Sequence, residues 1–326
     1  MTLLTVENLA IDLARDGATH RLVRGASLTV APGEILALVG ESGSGKSLTA
    51  LAAMGLLGEG LSIAGGRVRF EGRDLAAMTE EERRTLRGGA MAMIFQEPMT
   101  SLNPVLSIGR QLTEGMRLKL GLGRREAQIR AAELLALVGI SDPERRLRQY
   151  PHQFSGGMRQ RVMIAMALAG GPKLILADEP TTALDVTIQA QILALTVRLC
   201  REQGMGLVLI THNLGIVARY ADRVAVMYAG RVIEEAVAAD LYARPAHPYT
   251  RGLLDSVPRL DASRAGTLTP IAGAPPDPMR PVPGCAFHPR CPGATAVCRE
   301  DAPAQEWTGA RMVACHHPLG AEVAAQ

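Results

Sequence analysis

Residues 3 to 30 alternate apolar and polar side chains in short pieces, as in Leu9-Ala10-Ile11-Asp12-Leu13 and Ala26-Ser27-Leu28-Thr29-Val30, on either side of Asp16-Gly17. A period of two predicts strands joined by a turn. After Pro32-Gly33 the pattern changes, because Ile35-Leu36-Ala37-Leu38-Val39 is apolar without interruption and reads as a strand buried on both faces. Gly65 to Phe70 predicts a further strand with a turn at Glu71-Gly72, Glu80 to Arg87 a short charged helix, and Met91 to Phe95 a core strand. From Ile108 to Leu147 apolar positions recur three and four apart, which predicts a helical insertion with Arg124, Arg125, Glu126 and Arg130 on its solvated side. Val162 to Leu168 is an apolar helix, and Lys173 to Ala177 an apolar strand. The expected class is α/β, with an antiparallel layer beside a core of buried strands.

The first buried strand runs into Gly40-Glu41-Ser42-Gly43-Ser44-Gly45-Lys46-Ser47 and then Leu48-Thr49-Ala50-Leu51, a helix-forming run. Strand, glycine-rich turn and helix together make a phosphate-binding loop. Glycines let successive N–H groups turn inward toward phosphate oxygens, and the helix adds its positive end. Lys46 would sit on the β- and γ-phosphates and the Ser47 hydroxyl on magnesium. The chain has three lysines among its 35 basic residues, so a lysine here does not follow from composition.

The remaining composition narrows the class. In 326 residues with a net charge of +3, the charges are interspersed, and no basic tract marks a nucleic-acid groove. No apolar run approaches the roughly 20 residues of a spanning helix, and Met1 to Glu7 lacks the pattern of a signal peptide. A cytoplasmic chain is expected, with any membrane role carried by a partner.

Three more stretches carry candidate chemistry. Gln96 leaves a buried strand ahead of Glu97-Pro98-Met99-Thr100-Ser101-Leu102-Asn103-Pro104, and its amide could serve a metal or an attacking water. The two prolines predict that the segment is a non-helical hinge. Ser155-Gly156-Gly157-Met158-Arg159-Gln160 opens a helix whose start could cap an anion, and Asp178-Glu179 ends an apolar strand with two carboxylates, one for magnesium and one for water.

Taken together, these stretches resemble the ABC ATPases. Residues 40 to 47 resemble the Walker A loop, 155 to 160 the transporter signature, 174 to 179 the Walker B strand, Ala183-Leu184-Asp185 the D-loop, and Leu209-Ile210-Thr211-His212-Asn213 the switch-histidine strand end. The resemblance implies a RecA-like P-loop core with an antiparallel β subdomain and a helical subdomain at about 97–155, in an ATPase domain over 1–260. It implies ATP and Mg2+ as cofactors, with Gly40 to Leu48 around the nucleotide and Ser47, Gln96 and Asp178 serving the metal. Glu179 would be the general base, while Gln96 would sense metal and water and His212 would orient the γ-phosphate. It implies head-to-tail pairing with a second ATPase, so that Ser155, Gly156 and Gly157, with Asp185 nearby, complete the site of the other chain.

One departure stands out. The family commonly offers an aromatic ring for adenine some twenty-odd residues before the loop, but Ala10 to Val30 contains no Phe, Tyr or Trp. The base is therefore expected to be held mostly through its phosphates.

Toward the C-terminus, His247-Pro248-Tyr249-Thr250-Arg251-Gly252-Leu253-Leu254 is similar to a segment of dipeptide and oligopeptide importer ATPases, as are Gly40 to Ser44 and Phe95 to Pro104. That resemblance implies peptide import at the inner face of a bacterial membrane, with two permease subunits and an extracytoplasmic peptide-binding protein. An importer of nickel or another small solute shares much of this core. Soluble ABC-type ATPases of DNA repair or translation usually carry two cassettes or long coiled coils, which this chain lacks, and an intact Glu179 and His212 weigh against a metal-sensing module that uses ATP only as a ligand. Residues 261–326 are expected to form an extension, with a proline-rich linker from Pro270 to Pro283 and a small lobe containing Cys285, Cys291, Cys298 and Cys315. Four thiolates can hold a [4Fe-4S] cluster or a zinc ion, with His316 and His317 as further zinc donors. Four buried free cysteines are the alternative.

Overall fold

Uninterrupted apolar runs become buried strands, and the three-and-four spacing becomes helices. The computed structural model describes residues 2–180, 186–256 and 270–320. In chain order the elements begin β1 Leu4–Arg15, β2 Ala18–Val30, β3 Ile35–Val39, α1 Lys46–Met54, β4 Leu61–Phe70, β5 Arg73–Asp74, α2 Glu80–Leu86 and β6 Met91–Ile94. A helical stretch follows: α3 Pro98–Ser101, α4 Ile108–Leu120, α5 Arg124–Leu137, α6 Pro143–Arg146 and α7 Gly156–Leu168. Next come β7 Leu174–Asp178, α8 Val186–Glu202, β8 Gly206–Thr211, α9 Leu214–Tyr220, β9 Arg223–Tyr228 and β10 Arg231–Val237. The chain closes with α10 Ala238–Ala243, α11 Pro248–Asp255, α12 Ala296–Glu300, β11 Glu306–Thr308 and β12 Arg311–Val313. Two compact units are formed, one from Met1–Thr5, Thr29–Ile35 and Arg69–Ile210, the other from Val6–Leu28, Leu36–Val68 and Thr211–Gln326.

In the first unit β6, β7 and β8 pair in parallel, with Ile94 opposite Ala177 and Asp178 opposite Ile210. Every residue of β7 is buried, as parallel strands covered on both faces require. The insertion buries Ile108, Leu112 and Met116 of α4 against Ala127, Ala131, Leu134 and Leu135 of α5. The segment after Gln96 departs from the expected hinge, because Pro98 to Ser101 is a short helix. Proline costs little at a first helical position, where its missing N–H would have no partner. The Glu97 carbonyl then accepts from the Ser101 N–H at 3.3 Å and the Ser101 hydroxyl at 2.8 Å.

In the second unit β1 and β2 form a hairpin whose turn, Asp16 at φ 52° and Gly17 at φ 76°, has the left-handed backbone that matches strand twist. Strand β3 runs parallel to β9, and β9 pairs antiparallel with β10. The C-terminal stretch does not close on itself as a separate lobe. Strand β12 pairs with β10, Glu235 opposite Met312, and β11 extends that sheet. Phe287 enters the core of this unit beside Val39, Val226 and Leu241. The chain has four Phe, five Tyr and one Trp. Three of these rings meet here, with Tyr228 and Tyr249 centroids 4.5 Å apart and Phe287 5.3 and 5.4 Å from them. Such contacts add about 1 kcal/mol each beyond burial.

Replacing Phe287 with Ala should therefore lower the urea-unfolding free energy of the ATPase core by about 3–5 kcal/mol. A separate lobe would unfold earlier in its own transition and leave the core midpoint unchanged.

Candidate functional site

The phosphate loop follows from its glycines. Gly40 sits at φ 150°, and a Cβ there would meet the Met227 carbonyl oxygen at 2.1 Å, so no side chain fits. Gly45 at φ 104° leads into α1, whose start has no side-chain cap from Gly45, the kind of helix N-terminus that suits an anion. The Lys46 ammonium, 4% exposed, donates to the carbonyls of Gly40 at 2.8 Å and Glu41 at 2.9 Å and to the Ser44 hydroxyl at 3.3 Å. It is folded across the loop it serves. Ser47 and Leu48 are half-buried, and Ser42 and Gly43 are exposed.

The C-terminal part of the same unit grips this loop through Glu41. Arg290 donates from Nη1 and Nη2 to the two Glu41 carboxylate oxygens at 2.6 and 2.9 Å, from Nε to the Ala272 carbonyl at 3.0 Å, and lies 5.9 Å from the Tyr228 ring centroid. The guanidinium side chain is only 5% exposed, so the pair is largely screened from water. The Glu41 N–H donates to the Tyr249 hydroxyl oxygen at 2.9 Å. Tyr249 is placed by His247, whose Nδ1 accepts from the Tyr249 N–H at 3.0 Å, and by Glu234, whose carboxylate accepts from the Ala246 and His247 N–H groups at 2.8 Å each. Tyr249 and Arg290 are residues that motif reading alone misses as loop contacts. The sequence signals them only as His-Pro-Tyr and as an arginine beside a cysteine.

The first unit gathers a second set. Gln96, just past β6, donates from Nε2 to the Glu179 carboxylate at 3.4 Å, because β6 and β7 are neighbours in register. Asp178 ends β7 at 7% exposure, and Glu179 follows at φ 41°, a left-handed backbone that costs a non-glycine residue about 1 kcal/mol or more. The Glu179 N–H is held by the Ile210 carbonyl at 3.0 Å. Ser155 caps α7 by accepting from the Met158 N–H at 3.4 Å, and Ser155 and Gly156 are exposed. At Gly157 a Cβ would meet Ile188 at 3.1 Å. His212, in the second unit, is exposed after β8, and Asp185 lies outside the described residues.

The family model described as ABC transporter matches residues 23–182, and the one described as the oligopeptide/dipeptide transporter C-terminal region matches 233–298. The dipeptide transport ATP-binding protein DppD of Bacillus subtilis is 50% identical over 303 residues, which cover 93% of this chain and 90% of that protein. This chain is an ABC transporter ATP-binding protein of the dipeptide/oligopeptide import family. The oligopeptide transport ATP-binding protein AppD of the same organism is also 50% identical, covering 93% and 92% of the two chains. Among solved structures, the dimeric post-hydrolysis ATP-binding cassette MJ0796 bound to ADP and Pi matches with a TM-score of 0.65 and 26% identity, covering 72% of this chain and 99% of that one. These matches make the chain an ATP-binding subunit.

In this importer-type ATPase all five cysteines are free. The Cys285 N–H donates to the Cys298 carbonyl at 2.8 Å, and Cys298 lies 3.6 Å from the Thr295 hydroxyl. Burial pushes the Cys285 and Cys291 thiols up and Cys315 to about 11, with the neighbouring cysteines adding to the effect. His316 engages the Asp301 carbonyl at 2.9 Å and His317 the Thr295 hydroxyl at 2.8 Å. Among the described residues, no three His, Cys, Asp or Glu converge around a single ion.

Burial holds the His247 imidazole neutral, lowering its pKa to about 3 from 6.5. The unfolded chain takes up this proton first, so the contribution is complete above pH 6.5 and is lost as pH falls toward 3, at about 1.4 kcal/mol per pH unit. Between pH 6.5 and 5 the wild type should lose about 2 kcal/mol more than His247→Asn in urea unfolding. Parallel pH profiles would exclude His247 as the source. Arg290→Met should weaken ATP binding about tenfold by leaving Glu41 without its partner, and Glu41→Gln in the same chain should restore part of the loss, read by equilibrium titration.

Proposed function

We propose that this ATPase hydrolyses ATP to drive uptake of dipeptides or oligopeptides, pairing head to tail with a second ABC ATPase at the cytoplasmic face of the membrane. Two permease subunits would carry the solute, delivered by an extracytoplasmic binding protein. The observation that carries the catalytic part is the placement of the Gln96 amide against the Glu179 carboxylate at neighbouring strand ends. Glu179 takes a proton from water as the water oxygen bonds to the γ-phosphorus and the bond to the β–γ bridging oxygen breaks, leaving ADP and phosphate; Gln96 orients that water and would help hold the metal. Lys46 and the N–H groups at the start of α1 hold the β- and γ-phosphates, Ser47 and Asp178 would hold magnesium, and His212 steadies the γ-phosphate. Ser155 and Gly157 cap the nucleotide of the partner, a role that the exposed start of α7 supports, as does the dimeric state of the similar solved cassette. The peptide assignment is supported by the match over 233–298 and by relatives named for dipeptide and oligopeptide transport.

The cysteine-rich segment offers the donor chemistry of a [4Fe-4S] cluster, four free thiols, but among the described residues no three potential ligands converge on one ion, so the cluster rests on donor type alone. Cys285, Cys291, Cys298 and Cys315 would be the ligands. When bound, such a group supplies a cross-link where few apolar side chains are available. Anaerobically purified protein should contain iron and acid-labile sulfide; a colourless, iron-free protein of full stability would remove the assignment.

Glu179→Gln should bind ATP with unchanged affinity and turn it over at least about a hundredfold more slowly. Full hydrolysis by that variant would refute the base. Reconstituted with the permeases and a binding protein, the wild type should hydrolyse ATP faster when peptide is added.

A further inference from the structure

Apart from the Ala272 carbonyl that Arg290 engages, the proline-rich bridge has no part in the site as described, yet its residues close a cavity of about 440 Å³ over the outer side of the phosphate loop. This volume lies within the roughly 300–1,000 Å³ of small-ligand pockets. The floor is the loop itself, Glu41 to Ser44. One wall is Leu22 and Arg24 of β2 with Tyr228 at the end of β9, and the other is Pro275, Pro276, Pro281 and Val282.

We propose that this cavity receives the base and ribose of the bound nucleotide, with the proline bridge supplying the apolar wall that an aromatic ring between β1 and β2 would otherwise provide. The inference rests on the nucleotide reading above. Three observations favour a nucleoside. The floor is shared with the phosphate cradle, so a ligand whose phosphates face Lys46 extends its remaining atoms along residues that already line this space. The walls offer the faces of proline rings and the Leu22 and Val282 side chains, which pack on a flat heterocycle without needing aromatic partners. Arg24 is half-buried and makes no ion pair among the described residues, so it favours a ligand that brings negative charge. Burial and the nearby Arg21 weaken its hold on its proton, with Asp12 acting the other way, and the negative charge of an α-phosphate oxygen would offset the first two. The neighbouring cations are otherwise engaged: Arg21 pairs with Asp12, and Arg231 donates to the Pro303 carbonyl at 3.3 Å. The Glu41–Arg290 pair and the Arg290 bond to the Ala272 carbonyl tie the start of the bridge to the loop, so the far wall has a fixed position. The bridge is therefore a specificity element, and removing its rings should affect the base without affecting the phosphates.

The experiment compares ATP with inorganic tripolyphosphate, which shares the phosphate chain and lacks the nucleoside. Affinities are measured by calorimetry for the wild type, the double variant Pro275→Gly/Pro276→Gly, the cavity-filling variant Val282→Trp, and Lys46→Ala. The proline and Val282 variants should bind ATP at least about tenfold more weakly and tripolyphosphate within about twofold of the wild type. Lys46→Ala should weaken both ligands. Unchanged ATP affinity in both cavity variants, or an equal loss for the two ligands, overturns the proposal. If Lys46→Ala binds both as the wild type does, the nucleotide reading itself fails. Photolabelling of the full chain with 8-azido-ATP is a second test: the label should fall in the peptide containing Pro275 to Val282, and label confined to Leu13 to His20 overturns the proposal.

Discussion

A phosphate loop is a backbone held open against its own collapse, and in this protein the holding is done from the far end of the sequence. Glu41 gives its carboxylate to Arg290 and its N–H to Tyr249, while Lys46 draws the carbonyls of Gly40 and Glu41 toward its ammonium. Each contact removes a way for a glycine-rich turn to fluctuate. Ordering the loop before the ligand arrives lowers the entropy lost on binding. Everything that positions Tyr249 and Arg290 therefore bears on the loop.

The chain that positions them is short and buried. Glu234 on β10 has no exposure, and its charge is compensated by the N–H groups of Ala246 and His247 and by Arg311, 3.9 Å away. An unpaired carboxylate there would be costly; with these partners it fixes the start of α11. His247 then serves as a cap, and Tyr249 projects toward the loop from a cluster of three rings. The residues after 270 contribute one of those rings, an arginine and an edge strand, so the extension forms part of the same core.

A different economy governs the strand ends of the first unit. Parallel strands bury both faces, and chemistry is left to the residues where they stop. Gln96 and Glu179 meet because β6 and β7 end side by side, and the left-handed backbone at Glu179 turns that residue out of the strand. Strain at one residue is tolerated because β7 is buried throughout.

Local chemistry fixed much of this in advance. Glycine spacing after a buried run made the phosphate loop legible, alternation marked β1, uninterrupted apolar runs marked β3 and β7, three-and-four spacing marked α5, and the lysine at position 46 named the ligand class, because each depends on neighbours a few residues apart. Other features depended on packing between distant segments. Pro98 reads as a helix breaker until it is seen in a first turn, where its missing N–H has no consequence. The cysteine-rich stretch reads as a small lobe until β12 is seen paired with β10. Arg290 and Glu41 are 249 positions apart, and no local rule couples them. The sequence by itself determined which groups could bind phosphate and metal, since that is a property of side-chain type and turn geometry. Only the tertiary structure decided what holds the loop and what walls the space above it, since those follow from where a folded chain returns.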